Sequence, residues 1–289
     1  MVIDAHVHLY PPEVGRDPAA WAAAQGEPRW ATLCARRRGD GRPVQGFPDV
    51  DQLLRDLDEA GVDRAILLGW YWENAATCAW QNRFFAACVR AHPDRLQACA
   101  AVHPGSSPDE VVAEIRRARS EGLCGLGELS PHSQGIPAGS PGLAAAFEAA
   151  AGLGWPVNLH VTDSAGRPYP GRVDTPLTDF VHWARSFPRT TFVLAHWGAR
   201  LPLLMPEAAG LANVHYDTAA SPLLYGDAAW NELLPICGAE RVLFGSDHPL
   251  DLYPRREPGP SLARLTAEAR AARVPPAVLA GNARRLFGG

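Results

Sequence analysis

Short apolar runs recur along the chain, each followed by a longer stretch whose apolar positions repeat at helical spacing. The runs at 2–8, 64–69, 96–103, 123–129, 156–161, 190–196, 213–218 and 241–247 are built mainly on Val, Leu, Ile and Ala, as buried strands are. Between them, 50–60 puts Leu53, Leu54 and Leu57 on one helical face, and 75–91, 108–121, 142–153 and 176–186 follow the same period. Asp49 and Ser107 stand just before two of these stretches and predict N-caps, because a short side-chain oxygen there accepts an unpaired N–H of the first turn. Strict strand–helix alternation implies parallel strands joined by right-handed crossovers. Eight such units predict one domain over 1–289, an α/β fold closed into a (β/α)8 TIM barrel. An open doubly wound sheet would carry a glycine-rich phosphate turn after its first strand, where this chain carries histidines.

Two connections break the rhythm. One is an inserted loop at about 10–48 that contains Trp21 and Trp30; the other, 162–175, is rich in Gly, Pro, Arg and Tyr. Both follow strands, so both rise from the C-terminal rim, where barrel enzymes keep their active sites.

Composition narrows the class without naming a reaction. Hydrophobic residues make up 47% and charged residues 20%, ordinary for a soluble globular enzyme. The net charge of −4, with Arg36-Arg37-Arg38 the longest basic run, gives no nucleic-acid footprint, and the triplet reads as a solvated loop. No apolar stretch is long enough to predict a membrane span. The 6 cysteines lack Cys-x-x-Cys spacing and sit in apolar runs, so they read as reduced core thiols. The chain opens on a strand rather than a signal peptide, and a cytoplasmic location is the expectation.

By simple alternation Asp4, His6 and His8 share one face of the first strand, and Ile3, Ala5 and Val7 the other. The apolar set suits the layer under the helices, which turns the polar set inward. Two imidazoles at i, i+2 can converge on one ion, although His-x-His alone is a common accident. Four further strands end the same way, on Glu128, His160, His196 and Asp247. Any one of these alone reads as an ordinary buried polar residue. All at the same end of barrel strands, they point into one basin and predict a divalent-metal site. His248 faces away from Asp247 by alternation, and His92, His103, His182 and His215 have no partner pattern.

The residues lie in IDAHVH (3–8), GLGEL (125–129), WPVNLHVTDSAGRPYPG (155–171), FVLAHWGARLPLL (192–204), NVHYDTAASPLLYG (213–226), RVLFGSDHPL (241–250) and GNARRLFG (281–288). As a set these stretches resemble the amidohydrolase superfamily, in particular its amidohydrolase 2 branch, which includes aminocarboxymuconate-semialdehyde decarboxylase. The resemblance spans nearly the whole chain and is weakest over 10–48. It implies that His6, His8, His160 and Asp247 hold a divalent metal, that Asp247 exchanges a proton with a metal-activated water, and that His196 polarises the substrate. Asp4 is expected to fix one of the ligands. Glu128 is a departure. Many superfamily members carry a carboxylated lysine on strand four that bridges two metals, and TatD-type hydrolases carry a glutamate at a similar place. Glu128 therefore either holds a second ion with His196 or stands beside a single one, and one ion is the working expectation.

The donor set favours Zn2+, with Mn2+ or Fe2+ as alternatives. Arg167, Tyr169, Arg200 and Tyr225 are expected at the pocket, Arg167 or Arg200 as a bidentate clamp on a substrate carboxylate. Asp163, Arg172, Ser221 and His132 are weaker candidates. Metal-dependent hydrolysis of a C–N or C–O bond (amide, lactone or ester) in a small molecule is the leading expectation. Non-oxidative decarboxylation of a small unsaturated or aromatic acid is the alternative. The resemblance also implies a homodimer. A non-catalytic barrel would have little reason to bury so many ionisable groups.

Overall fold

A computed structural model of the chain describes residues 1–226, 228–256 and 259–288. Strands β1 (Ile3–Val7), β2 (Arg64–Leu67), β3 (Leu96–Ala100), β4 (Gly125–Leu129), β5 (Pro156–Leu159), β6 (Thr191–Leu194), β7 (Val214–Asp217) and β8 (Val242–Leu243) form one sheet in sequence order. Every neighbouring pair is parallel. The segment from β8 onward then closes on β1. Ala5 N donates to the Phe244 carbonyl at 2.8 Å, Asp247 N to the His6 carbonyl at 2.9 Å and His8 N to the His248 carbonyl at 2.7 Å. The fold is the expected (β/α)8 barrel.

The crossover helices include α1 (Val50–Ala60), α2 (Ala75–Ala91), α3 (Pro108–Ser120), α4 (Pro141–Leu153), α5 (Leu177–Ser186) and α6 (Leu262–Ala271), followed by α7 (Asn282–Phe287). Both predicted caps form. Asp49 accepts from Gln52 N at 2.7 Å, and Ser107 and Glu110 make a reciprocal capping box at the start of α3. The larger hydrophobic cluster joins Leu53 and Leu57 of α1, Phe85 of α2, Ile115 of α3 and Phe147 of α4 to the outward residues of the strands. A smaller one holds Ile66, Leu68, Cys99, Val193 and Leu243 with Phe287 of α7, which plugs the barrel at its N-terminal end. All six cysteines are free, as expected, and no helix among the described residues is long and apolar enough to cross a membrane.

Two expectations change. Ile3 and Ala5 belong to the inner cluster while Val7 belongs to the outer one. The β1–β2 register shifts between Asp4 and Val7, so an irregularity in β1 replaces simple alternation. Asp4 consequently does not line up with His6 and His8. The segment 10–48 is also more than a loop. It contains helices Pro12–Arg16, Pro18–Gln25 and Pro28–Cys34, each opened by a proline whose missing N–H and fixed φ suit a first helical position. Aromatic rings hold it together, with Trp30 5.4 Å from Tyr10, 5.4 Å from Trp21 and 5.7 Å from Trp72, centroid to centroid.

Candidate active site

Six side chains meet at the C-terminal mouth: His6 from β1, His8 just after it, Glu128 from β4, and His160, His196 and Asp247 just beyond β5, β6 and β8. Three imidazoles are oriented by the nitrogen that faces away from the cluster. His6 Nδ1 donates to Asp217 Oδ2 at 2.9 Å, His8 Nδ1 to the Leu68 carbonyl at 3.2 Å and His196 Nδ1 to the Ala219 carbonyl at 3.1 Å. A ring that donates through one nitrogen and is neutral carries a lone pair on the other, so each of these Nε2 atoms, once free of any second proton, is an acceptor aimed inward. His160 offers Nδ1 instead, 3.1 Å from Glu128 Oε1 and 3.3 Å from His196 Nε2.

The inward acceptors crowd one another. His6 Nε2 and His8 Nε2 are 3.2 Å apart. Asp247 Oδ1 lies 3.7 and 3.5 Å from them, and the Glu128 carboxylate 3.9 and 3.7 Å. Lone pairs and carboxylates this close repel unless positive charge sits among them. Four donors at about 2.1 Å from a tetrahedral ion stand about 3.4 Å apart, so the donor set and its spacing fit a divalent metal. The donor atoms form two overlapping triplets, His6–His8–Glu128 and Glu128–His160–His196, each with all atoms within 4.8 Å of one another. The structure thus groups His160 with Glu128 and His196 rather than with His6 and His8, as the sequence reading had it.

Charge state follows from the same packing. Burial alone would push the His6 imidazole down, but Asp217, then Glu128 and Asp247, push it up, to about 10. Burial and the neighbouring His6 push His8 down, and burial with His160 does the same to His196. Glu128 is fully enclosed, which raises a carboxyl, yet His160, His6 and His8 hold it well below the usual carboxylate range. A metal binding beside His6 therefore has a proton to displace.

The backbone delivers these groups at a conformational cost. Gly127 sits at φ +123, and a Cβ there would lie 2.5 Å from the Asn158 carbonyl oxygen, so only glycine lets β4 pass close to β5 and carry Glu128 to the mouth. His196–Arg200 wind as a left-handed turn, with φ from 50 to 63, which costs non-glycine residues about 1–2 kcal/mol each. Trp197 Nε1 donating to Ser221 Oγ and Tyr225 OH donating to the His196 carbonyl brace it. Arg200 does so too, through a two-point ion pair with Asp163 at 2.8 and 2.9 Å.

Several expected roles move accordingly. Arg200 is engaged by Asp163 and is not a free substrate clamp. Tyr225 supports His196, and Arg167 is exposed. Tyr169 is half-buried under Arg36, whose guanidinium lies 5.1 Å above its ring, so the first arginine of the basic triplet is part of the mouth and not a solvated tip. His132 pairs with Asp179 at 2.9 Å, and His248 is buried 3.6 Å from Asp56, away from the cluster. Asp4 does not fix a ligand ring. Its carboxylate accepts from His6 N, Ser246 N and Ser246 Oγ, tying the seam between β1 and the segment after β8. Burial raises its pKa to about 6 despite those bonds.

Asp217 takes the role assigned to Asp4. It accepts from His6 Nδ1 and Asn158 Nδ2 through one oxygen and from His196 N and Ala219 N through the other. The signal was present, since β7, like its neighbours, ends on an ionisable residue. Asp217→Asn is expected to weaken metal binding by about 10–100-fold, the usual effect of losing a ligand's orienting partner. Titration of the metal-free variant with zinc checks it, and unchanged affinity would remove Asp217 from the site.

A family model described as an amidohydrolase matches residues 3–289. The chain belongs to the amidohydrolase family. It is therefore an enzyme of a family whose members include metal-dependent hydrolases and decarboxylases, and its six clustered donors suit such an enzyme. Solved structures of the same fold include 5-carboxyvanillate decarboxylase from Sphingomonas paucimobilis, 21% identical with TM-score 0.71, the match covering 99% of this chain and 98% of that one. The 5-carboxyvanillate decarboxylase of Novosphingobium aromaticivorans, complexed with manganese and a nitrobenzoic acid, is 16% identical with TM-score 0.73 over 99% and 96%. A probable 2-pyrone-4,6-dicarboxylic acid hydrolase from Acinetobacter baumannii is 15% identical with TM-score 0.61 over 100% and 99%. No curated protein matches the chain.

Proposed function

We propose that this amidohydrolase is a metal-dependent carbon–carbon lyase that removes CO2, without oxidation, from a small aromatic or unsaturated carboxylic acid. The observation that carries the reading is an aromatic wall on the donor cluster. The Trp70 ring lies 5.1 Å from the His8 ring and the Tyr71 ring 5.4 Å from the His160 ring, and the two stack on each other at 4.3 Å. A flat unsaturated acid gains stacking contact along such a wall while its edge reaches the donors. Similarity of fold to two 5-carboxyvanillate decarboxylases over nearly the whole chain supports the same reading. Relative to the sequence reading, decarboxylation moves ahead of hydrolysis.

His6, His8 and Asp247 with Glu128 would hold one divalent ion, and Glu128, His160 and His196 a second. A bound ion supplies Lewis acidity, polarising substrate oxygens and lowering the pKa of water. Zinc suits the nitrogen-rich donors, and the Novosphingobium enzyme is complexed with manganese. The remaining work falls to the chain. The bond between the ring carbon and its carboxyl group breaks, CO2 leaves, and the electron pair left on carbon takes a proton. Asp247 is the residue to deliver it, as a carboxyl group at the mouth beside His6 and His8 whose side chain is partly open to solvent. It then regains the proton from water.

The metal-replete protein is expected to release one CO2 per arene formed from 5-carboxyvanillate or 2,6-dihydroxybenzoate, followed by infrared or coupled carbonate assay. Acid release from lactones or esters, with no CO2 from any aromatic acid, would overturn lyase chemistry in favour of hydrolysis. Hydrolysis is the second reading because the donor set is complete for activating water and the 2-pyrone-4,6-dicarboxylic acid hydrolase shares the fold. Removing the metal with a chelator is expected to lower the Tm by about 5–10 °C, reversibly on adding zinc or manganese. A Tm unmoved by both steps would remove the metal site.

A further inference from the structure

Trp70 and Tyr71 also line a cavity of about 400 Å3 whose walls include none of the six clustered donors. That volume is within the range of small-molecule sites. The walls come from four parts of the mouth: the helix Pro28–Cys34, the turn after β2, the segment after β4 and the segment after β5. They hold the rings of Trp30, Trp70 and Tyr71, the imidazole of His132, which pairs with Asp179, and two arginines, Arg29 and Arg172, with no acidic residue in the lining. The arginines differ. Arg172 is engaged by its own loop, donating to the Gly166 and Ser164 carbonyls and to Asp174. Arg29 donates from Nη1 to the Ser133 carbonyl and faces Glu73 with Nε at 3.4 Å, and its side chain is 51% exposed. Its remaining edge is open to a further acceptor.

An aromatic-walled space with a cation at its rim, whose counter-charge Glu73 lies outside the lining, suits neither a neutral aliphatic group nor a cation. It suits a planar body that ends in an anion, since the rings take the body and the guanidinium the charge. Tyr71 both contacts His160 and lines this cavity, which places the cavity next to the donor cluster. We propose that the cavity is a distal subsite: it takes the far end of an extended aromatic acid and recognises, through Arg29, a second anionic group remote from the reacting carboxylate. A two-ended acid then gains a contact that a simple benzoate lacks. The proposal rests on the decarboxylase reading for the fate of the reacting carboxylate but not for the recognition of the second one.

Calorimetric titration of the metal-replete protein with naphthalene-2,6-dicarboxylate and with 2-naphthoate, which differ by one carboxylate, tests it. The diacid is expected to bind about tenfold tighter, the contribution of one charge-assisted hydrogen bond pair. Arg29→Gln should abolish that preference while leaving 2-naphthoate affinity and metal content unchanged. Thr32→Trp, which fills the cavity from its exposed rim, should weaken the diacid by at least the same factor. Equal binding of the two acids to the wild type, or a preference that survives both variants, would overturn the subsite. A preference lost in both variants, in a protein that releases no CO2 from any acid, would keep the subsite and remove decarboxylation. CO2 release without any preference would do the reverse.

Discussion

Asp247→Asn is expected to lower turnover by about 10²–10⁴-fold, the range for losing a positioned proton donor, while bound metal and Tm stay close to wild type. The variant is informative because the backbone tolerates it. Asp247 sits at φ 71, in the left-handed region, where asparagine is among the few non-glycine residues at ease. Its main-chain bonds, from its own N to the His6 carbonyl and from Leu250 N to its carbonyl, do not involve the side chain. The amide oxygen can still face His6 and His8 where Oδ1 now lies 3.7 and 3.5 Å away. The ability to carry a proton is removed together with one negative charge, and the Glu128 carboxylate, 3.9 and 3.7 Å from His6 and His8, still supplies anionic charge at that position. Asp247→Ala would lose a metal donor and strain the same φ, so its inactivity would say less. Turnover measured as CO2, alongside metal analysis, decides the matter: Asp247→Asn within about threefold of wild type would move the proton to another group.

Much of this architecture is legible in the sequence because the barrel imposes one rule on every unit: an apolar run, then an amphipathic helix. Each predicted strand contains the observed one, and α1 and α2 begin and end where the periodicity places them. The donors are legible for the same reason, since a strand buried on both faces has one place for an ionisable residue, its open end. What fails is anything that depends on contacts across the fold. Alternation assumes a regular strand, and the register shift in β1 is set by pairing with β2, which no local pattern reveals. It gave Asp4 a role that belongs to Asp217, a residue 211 positions from the histidine it orients. Arg200 looked like a free cation because Asp163, 37 positions away, is invisible as its partner until the turn after β6 folds back. In the segment 10–48 the prolines read as loop punctuation, but they initiate helices that become stable only when Tyr10, Trp21, Trp30 and Trp72 pack together.

Glu128→Gln is expected to take the protein from two bound divalent ions to one. Glu128 is the only residue common to both donor triplets, and it is 1% exposed, so no water stands ready to replace it. Its two oxygens divide the work already: Oε1 is 3.1 Å from His160 Nδ1, and Oε2 is 3.7 Å from His8 Nε2. The amide would remove the negative charge from both positions, but not with equal consequence. The His6–His8 position keeps Asp247, whereas His160 and His196 would be left as two imidazoles with no other carboxylate among the described residues within 4 Å. A divalent ion held by two imidazole nitrogens alone should bind more weakly by well over about 100-fold, beyond the effect of losing an orienting partner. Metal analysis after gel filtration reads the stoichiometry, and manganese electron paramagnetic resonance reads it independently, as a spin-coupled pair in the wild type and an isolated ion in the variant. One ion in both proteins would make Glu128 a hydrogen-bonding wall beside a mononuclear centre. It would leave the lone pairs of His160 and His196 as acceptors for a water or a substrate hydroxyl, and not as a grip on the reacting carboxylate.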